Sequence, residues 1–309
     1  MSKIQAIVLL VLANMLWGSS HAIGKLAIDT FDPLLLAGLR VTIATGCFWG
    51  LRFSGIAPRE GVPSRDVLTL AGLGLLTVAC AQFLDYRGLS LTTATDSSLM
   101  IIGEVIFTTI LAWLIMRERI NTQKRLGLVL GTIGVVVLTL GGAPDSAYAP
   151  QRALGNTLVL LALLCESIFT VLGARYAQTY QPLTILRWTY SGSMVVWTPV
   201  LVWAYLSGAI SGAPPAAWGA VVYMAVATSV ISYLLWFWVI RSAGSSLGAM
   251  TLFVQPVVGS VIGLLLLAEP QSPGLYIGAT LIVTAMLVAT LADRAPATPP
   301  GEEGAYAGH

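Results

Sequence analysis

Apolar residues run along this chain in blocks of about twenty, each closed by a short stretch carrying proline, glycine or charge. Coiled as a helix that rises about 1.5 Å per residue, such a block matches the roughly 30 Å hydrocarbon core of a bilayer. Read in windows of that kind, the chain shows ten predicted spans: 4–27, 33–53, 67–88, 96–117, 123–142, 153–177, 182–206, 216–240, 245–268 and 273–293. Pro33, Pro182 and Pro273 stand at predicted helix starts, where a missing N–H leaves no bond unmade. Ala143 to Arg152 is a polar connection between the fifth and sixth spans. Arg294 to His309, with Pro296, Pro299, Pro300, Gly301, Glu302 and Glu303, reads as a disordered tail. The expected fold class is an all-α integral membrane protein of ten transmembrane helices.

The first block needs one check. Lys3 followed by the apolar run Ile4 to Leu12 has the shape of a signal peptide, but Ser20-His21-Ala22 is a poor cleavage site, and the further spans favour a retained helix.

Composition agrees with the pattern. Of 309 residues, 56% are hydrophobic and 10% charged, with mean hydropathy +0.83. A soluble domain carries roughly 25% charged residues, so a surface this poor in charge belongs in lipid. The net charge of +2 and the lack of a basic stripe with interleaved aromatics argue against a nucleic-acid partner. Cys47, Cys80 and Cys165 are scattered singly in apolar runs and read as small packing residues.

Charge also orients the chain. Eleven basic residues (Lys3, Arg52, Arg59, Arg65, Arg117, Arg119, Lys124, Arg125, Arg175, Arg241 and Arg294) lie on one side of the predicted spans, against Lys25, Arg87 and Arg152 on the other. The positive-inside rule then places both termini in the cytoplasm. The expected location is a multi-pass plasma membrane, the inner membrane of a bacterium.

The two halves repeat. Displaced by 151 residues, Leu84 falls on Leu235, Leu114 on Leu265, Glu118 on Glu269, Gly127 on Gly278, and Val137 on Val288. At a displacement of 149, Leu12 falls on Leu161, Ala13 on Ala162 and Gly24 on Gly173. The expected units are a first five-helix repeat at 1–142, a loop at 143–152, a second repeat at 153–293 and the tail at 294–309. Five helices per unit is an odd number, so the second enters the membrane from the opposite face. Inverted repeats of this kind are the mark of secondary transporters, with a solute site near the midplane.

Short stretches then carry a resemblance. Leu16-Trp17-Gly18-Ser19 leading to Gly24-Lys25, Leu39-Arg40, Arg117-Glu118-Arg119-Ile120, Gln255-Pro256 and Ala268-Glu269-Pro270 resemble the EamA family of the drug/metabolite transporter superfamily, over roughly residues 4–293. The resemblance implies ten helices, cytoplasmic termini and alternating access. It also implies a cavity lined by the first, third, fourth, sixth, eighth and ninth helices, with the fifth and tenth peripheral. Two departures touch that cavity: Glu166 stands where the family commonly has a second Trp, and Glu104-Val105 and Gln255-Pro256 replace a common Glu-Pro or Thr-Pro pair.

An ionisable group inside a span costs at least ~2.5–3.5 kcal/mol, so it faces protein or a wet cavity and is a functional candidate. Glu104, Glu166, Arg40 and Arg187 qualify. Glu166, close to the midplane with Thr170 and Gly173 continuing its face, is the foremost candidate for proton coupling, and Glu104 the second. The structural alternative is that both acids are permanently tied by hydrogen bonds or by Arg40 and Arg187. Those arginines read as structural charges in similar places of the two halves. Asp85 and Asp96 fall at helix ends, where water is near.

The expected cavity residues are Trp17, His21, Tyr86, Ser97, Glu104, Tyr233, Trp236 and Gln255. His21 shares a helical stripe with Asn14, Trp17 and Gly24, and a lone histidine there is more often a packing residue than a relay. Glu118 and Glu269 read as capping or gating residues, and Gly127, Gly131, Gly134 and Gly278 as close helix packing. No HExxH or GxSxG motif points to an enzyme, and no Walker motif to an ATP-driven pump.

The expected function is a proton-coupled secondary transporter of a small amino-acid- or amine-like metabolite, with efflux the expected direction. The alternatives are passive or exchange transport of an anionic metabolite, or a membrane-embedded enzyme or accessory protein. Expected partners are the small-molecule solute, membrane lipid and a coupling proton, with no cofactor, no metal and no nucleic acid, in a monomer or homodimer. A topology test follows: reporters fused after Gln123 and at the C-terminal tail should read cytoplasmic, and one fused after Arg152 external. An external tail would remove the inverted repeat.

Overall fold

A computed structural model of the chain describes residues 2–55, 60–116, 122–140, 149–177, 179–243, 251–252, 254–269 and 272–292. These residues form helices and no extended strand. In order they are α1 (Lys3–Ile28), α2 (Pro33–Phe53), α3 (Ser64–Leu91), α4 (Ala94–Ile115, running on to Met116), α5 (Thr122–Leu140) and α6 (Arg152–Ala177). There follow α7 (Pro182–Leu206), α8 (Pro215–Val239, running on to Ala243), α9 (Val254–Leu266) and α10 (Pro273–Ala292).

Among the described residues, α1, α2, α3, α4, α6 and α8 combine the length and apolarity needed to cross a bilayer. Shorter apolar stretches lie at Arg125–Leu140, Val254–Leu266 and Pro273–Ala285. Length and apolarity therefore mark six spans where the apolar windows predict ten. The 25-residue α7 is long enough, but Thr184, Arg187, Thr189, Ser191, Ser193 and Thr198 make it less apolar than those six. The tail at 294–309, Arg117 to Ile120 and most of the 143–152 connection lie outside the described residues.

Local chemistry sets the helix starts. Ser2 and Gln5 form a reciprocal capping box on α1. Asp32 caps α2, its side chain accepting from the Leu34 N–H at 2.9 Å, with Pro33 in the first turn. Thr93 caps α4 through the Asp96 N–H at 3.0 Å. Three helices carry a π-helical turn, at Leu75–Cys80 in α3, Ala112–Met116 in α4 and Met224–Ile231 in α8. Such turns rotate the faces on either side relative to each other and cluster at functional sites.

The helices pack in a regular scheme. α1 lies against α8 and α9, α6 against α3 and α4, α2 against α7 and α8, and α3 against α7. α5 and α10 pair with each other. At the α3–α7 crossing a Cβ on Gly192 would collide with the Ala71 backbone, and one on Gly74 with the Thr189 backbone, so both positions exclude a side chain.

At one end of the bundle a polar knot ties three segments, α1, α6 and the stretch after α9, to the α3–α4 turn. Lys25 Nζ donates to the carbonyls of Leu89 and Thr92 at 2.9 and 2.5 Å. The Glu269 carboxylate accepts from Ala94 N–H (2.6 Å), Thr95 N–H (2.8 Å) and the Thr95 hydroxyl (2.6 Å), and so caps α4. Arg152 grips Asp96 with two donors, Nη2 to Oδ1 at 2.6 Å and Nε to Oδ2. Asn156 Nδ2 donates to the same carboxylate at 3.2 Å. The expectation that Asp96 lies near water is corrected here: its side chain is fully buried, because α6 lays Arg152 and Asn156 over it. Glu118, the repeat partner of Glu269, falls outside the described residues.

Overpacking a close helix crossing typically costs about 1–3 kcal/mol, and more where backbone must move. Gly192→Val should therefore lower the melting temperature of the purified protein, whereas Gly46→Ala, with open space around it, should leave it unchanged. Thermal unfolding followed by intrinsic fluorescence measures both; equal melting temperatures would show that α3 and α7 do not meet this closely.

Candidate functional site

Midway along the bundle, α1, α2, α3, α4, α6 and α8 bring polar and aromatic side chains together. The arrangement starts from Arg40 on α2, which is buried. Its Nε donates to Ser229 Oγ at 2.8 Å, Nη1 to the Tyr86 hydroxyl at 2.7 Å, and Nη2 to Thr228 Oγ1 at 3.0 Å. The guanidinium also lies 5.8 Å from the Tyr86 ring centroid. Each of these hydroxyls sends its own proton to Met224: Thr228 and Ser229 to its carbonyl at 2.6 and 3.2 Å, Tyr86 to its sulfur at 3.3 Å. All three are thereby turned so that a lone pair faces Arg40.

Thr228 links this group to an aromatic platform. Its carbonyl accepts from Trp17 Nε1 at 2.8 Å. The Trp17 ring meets Tyr233 edge-on at 5.0 Å and Trp236 at 5.4 Å between centroids. Platform and Arg40 thus meet at Thr228, which accepts from Trp17 through its carbonyl and from Arg40 through its hydroxyl.

The acids come from α4 and α6. Thr170, one turn after Glu166, reaches Glu104 Oε1 at 3.5 Å, and Ser167 Oγ donates to the Glu104 backbone carbonyl at 3.1 Å. Gln82 Nε2 approaches Glu166 Oε1 at 3.4 Å. These are long contacts, and neither acid forms an ion pair among the described residues. Glu166 is within electrostatic reach of Glu104, Asp85 and Arg40. His21 Nε2 lies 3.3 Å from Asp85 Oδ1, and its buried Nδ1 has no hydrogen-bond partner.

Other sequence candidates are placed differently. Gln255 is buried and donates through Nε2 to Asn14 Oδ1 at 2.7 Å, while Asn14 Nδ2 donates to Thr251 Oγ1 at 2.9 Å. α1 passes so close here that a Cβ on Gly18 would strike the Gln255 backbone. Ser97 is fully buried with an unpartnered hydroxyl. Arg187 lies away from Arg40's hydroxyls, its guanidinium 4.9 and 5.1 Å from the Trp49 and Trp188 ring centroids. The expected similarity of Arg40 and Arg187 is thus corrected: they start from different positions in α2 and α7 and meet different partners.

Sequence reading passed over Gln82, Thr228 and Ser229. They are small polar residues in apolar spans, and only the π-turn of α8 aims the last two at Arg40. Among the described residues no group of His, Cys, Asp and Glu is arranged to hold a metal ion.

Comparison with known proteins bears on the family and the fold. The family description "EamA-like transporter family" matches residues 4–140 and 153–291. The uncharacterized transporters YetK and YyaM of Bacillus subtilis are 24% and 23% identical, over 96% of this chain and 90% and 97% of theirs. An S-adenosylmethionine/S-adenosylhomocysteine transporter of Chlamydia muridarum is 28% identical over 87% of this chain and 86% of its own. A protein of known crystal structure shares the fold, with a TM-score of 0.63 and 19% identity over 94% of this chain and 99% of that one. These names indicate transporters rather than enzymes. Matched in both halves and over nearly its whole length, the chain belongs to the EamA-like transporter family of membrane proteins.

Proposed function

We propose that the chain crosses the membrane ten times as two inverted five-helix repeats with cytoplasmic termini, and carries a small amino-bearing metabolite by alternating access. The observation that carries this reading is the central cluster, where six helices from both halves converge on Glu104, Glu166, Arg40 and the Trp17–Tyr233–Trp236 platform. Charged groups so deep in lipid-facing helices are expensive and mark solute or proton paths. The carboxylates and rings suit an amine through charge pairing and cation–π contact. Two relatives are named for S-adenosylmethionine, a metabolite with an amino-acid end, which supports the same solute class.

The packing scheme supports the repeat. Advancing every helix by five turns the pair α1–α9 into α6–α4, α1–α8 into α6–α3 and α2–α8 into α7–α3, and each of those pairs is in contact. The π-turn at Leu75–Cys80 has its counterpart at Met224–Ile231. In this frame the knot at the α3–α4 turn closes one mouth of the path.

Glu166 is the coupling residue of the proposal and Glu104 its neighbour. A weakly tied acid can take up a proton in one state and release it in the other. Glu166→Gln mimics the protonated form, so pH-driven accumulation in proteoliposomes should fall at least about tenfold while solute exchange persists. Glu104→Gln should chiefly raise KM, by about tenfold, if it contacts the amine. The measurement is uptake of a panel of amino acids and amines with and without an imposed pH gradient. Full gradient-driven uptake by Glu166→Gln would reduce that residue to a structural one.

A further inference from the structure

The same chain handles its buried arginines in two ways. Arg152 is paired directly with a buried carboxylate, Asp96, by two charge-assisted bonds. Arg40, equally buried, has no carboxylate within ion-pair distance among the described residues. Its three bonded partners are the neutral hydroxyls of Ser229, Tyr86 and Thr228. Those hydroxyls satisfy donors and fix the plane of the guanidinium, but leave its charge uncompensated. A guanidinium has five N–H donors, so two remain after these three bonds.

Glu166 lies within electrostatic reach of Arg40 yet bonds weakly to Gln82 instead. Buried charges are ordinarily paired, because an uncompensated one is costly. Here the positive and negative poles are held by different partners, and Thr228, which accepts from Arg40, also seats Trp17 of the aromatic platform.

That separation selects a ligand. A bare anion drawn to Arg40 would be repelled by Glu104, Glu166 and Asp85. A bare cation drawn to the acids would be repelled by Arg40. A molecule carrying both charges answers each pole and adds no net charge to the closed site. Arg40 and a carboxylate also match as planar forks, a fit an ammonium group lacks.

We propose that Arg40 is the carboxylate-binding pole of the central site, and that the solute is a zwitterion of amino-acid type whose ammonium is taken by Glu104 and Glu166. This rests on the reading of the central cluster as the solute site. It changes the role of Arg40 from a structural charge to a specificity-determining contact.

The test compares three ligands with one side chain: L-methionine, 3-(methylthio)propylamine, which lacks the carboxylate, and N-acetyl-L-methionine, which lacks the ammonium. A thioether chain suits an aromatic wall. Binding is measured by calorimetry on the full-length protein in lipid nanodiscs. Methionine should bind at least about tenfold tighter than either analogue. Arg40→Gln should bring methionine down to the level of the amine, and should not weaken the amine, because it removes the guanidinium that repels it. Glu166→Gln should instead shrink the gap between methionine and its N-acetyl form.

A merely structural Arg40 would weaken all three ligands alike and leave their ratio untouched, which would overturn the proposal. Should Arg40→Gln not fold, the wild-type ratio decides alone: amine binding as tight as methionine sinks the zwitterion. Failure of all three ligands to bind wild type would remove the amino-bearing solute itself, and this inference with it.

Discussion

Inside a bilayer no water stands ready to satisfy a polar group, so every buried N–H, C=O and charge must find its partner within the protein. That constraint shapes most polar features of this structure, unpartnered atoms such as the Ser97 hydroxyl and His21 Nδ1 apart. Backbone groups are satisfied within helices, and the α4 terminus, which would leave donors bare, is closed by Thr93 and by the Glu269 carboxylate brought from beyond α9. Serine and threonine hydroxyls fold back onto carbonyls four residues earlier, as Thr45, Thr77, Ser98 and Thr189 do. Polar residues that lack such a local answer are drawn across helices, and these crossings hold the bundle in register.

Two kinds of polar assembly result, with different chemistry. At the α3–α4 turn, opposite charges meet directly and donors match acceptors closely, as in Arg152 with Asp96 and Glu269 with the α4 N–H groups. Removing one partner of such a pair leaves a buried charge uncompensated, so losing either Arg152 or Asp96 is costly. In the central cluster the contacts to Glu104 and Glu166 are long, and Arg40 meets neutral hydroxyls. The second arrangement holds its charges in place without cancelling them, which is the property the proposed solute site draws on.

The π-turns connect backbone to site. In α8, the wide turn at Met224–Ile231 gathers the Thr228 and Ser229 hydroxyls on the Met224 carbonyl, while the Thr228 carbonyl accepts from Trp17. One irregular turn therefore orients Arg40 and seats the aromatic platform together. No periodicity of apolar residues announces it, because a π-turn leaves composition unchanged.

The amino-acid sequence alone determined the environment and the family: charge-poor blocks of about twenty residues dictate membrane helices, and the stretches around Trp17, Arg40 and Gln255 carry the EamA likeness. It also located helix starts at Pro33, Pro182 and Pro273, where proline's missing N–H and fixed φ act locally. It singled out Glu104, Glu166 and Arg40, because any charge in an apolar run is conspicuous. Tertiary structure decided who meets whom. Asp96 looked like a surface residue until α6 covered it, Arg40 and Arg187 looked alike until one met hydroxyls and the other indoles, and Gln82, Thr228 and Ser229 carried no signal of their own. The reason is physical: burial and helix starts depend on residues near in sequence, whereas pairing depends on how helices far apart along the chain are rotated and crossed.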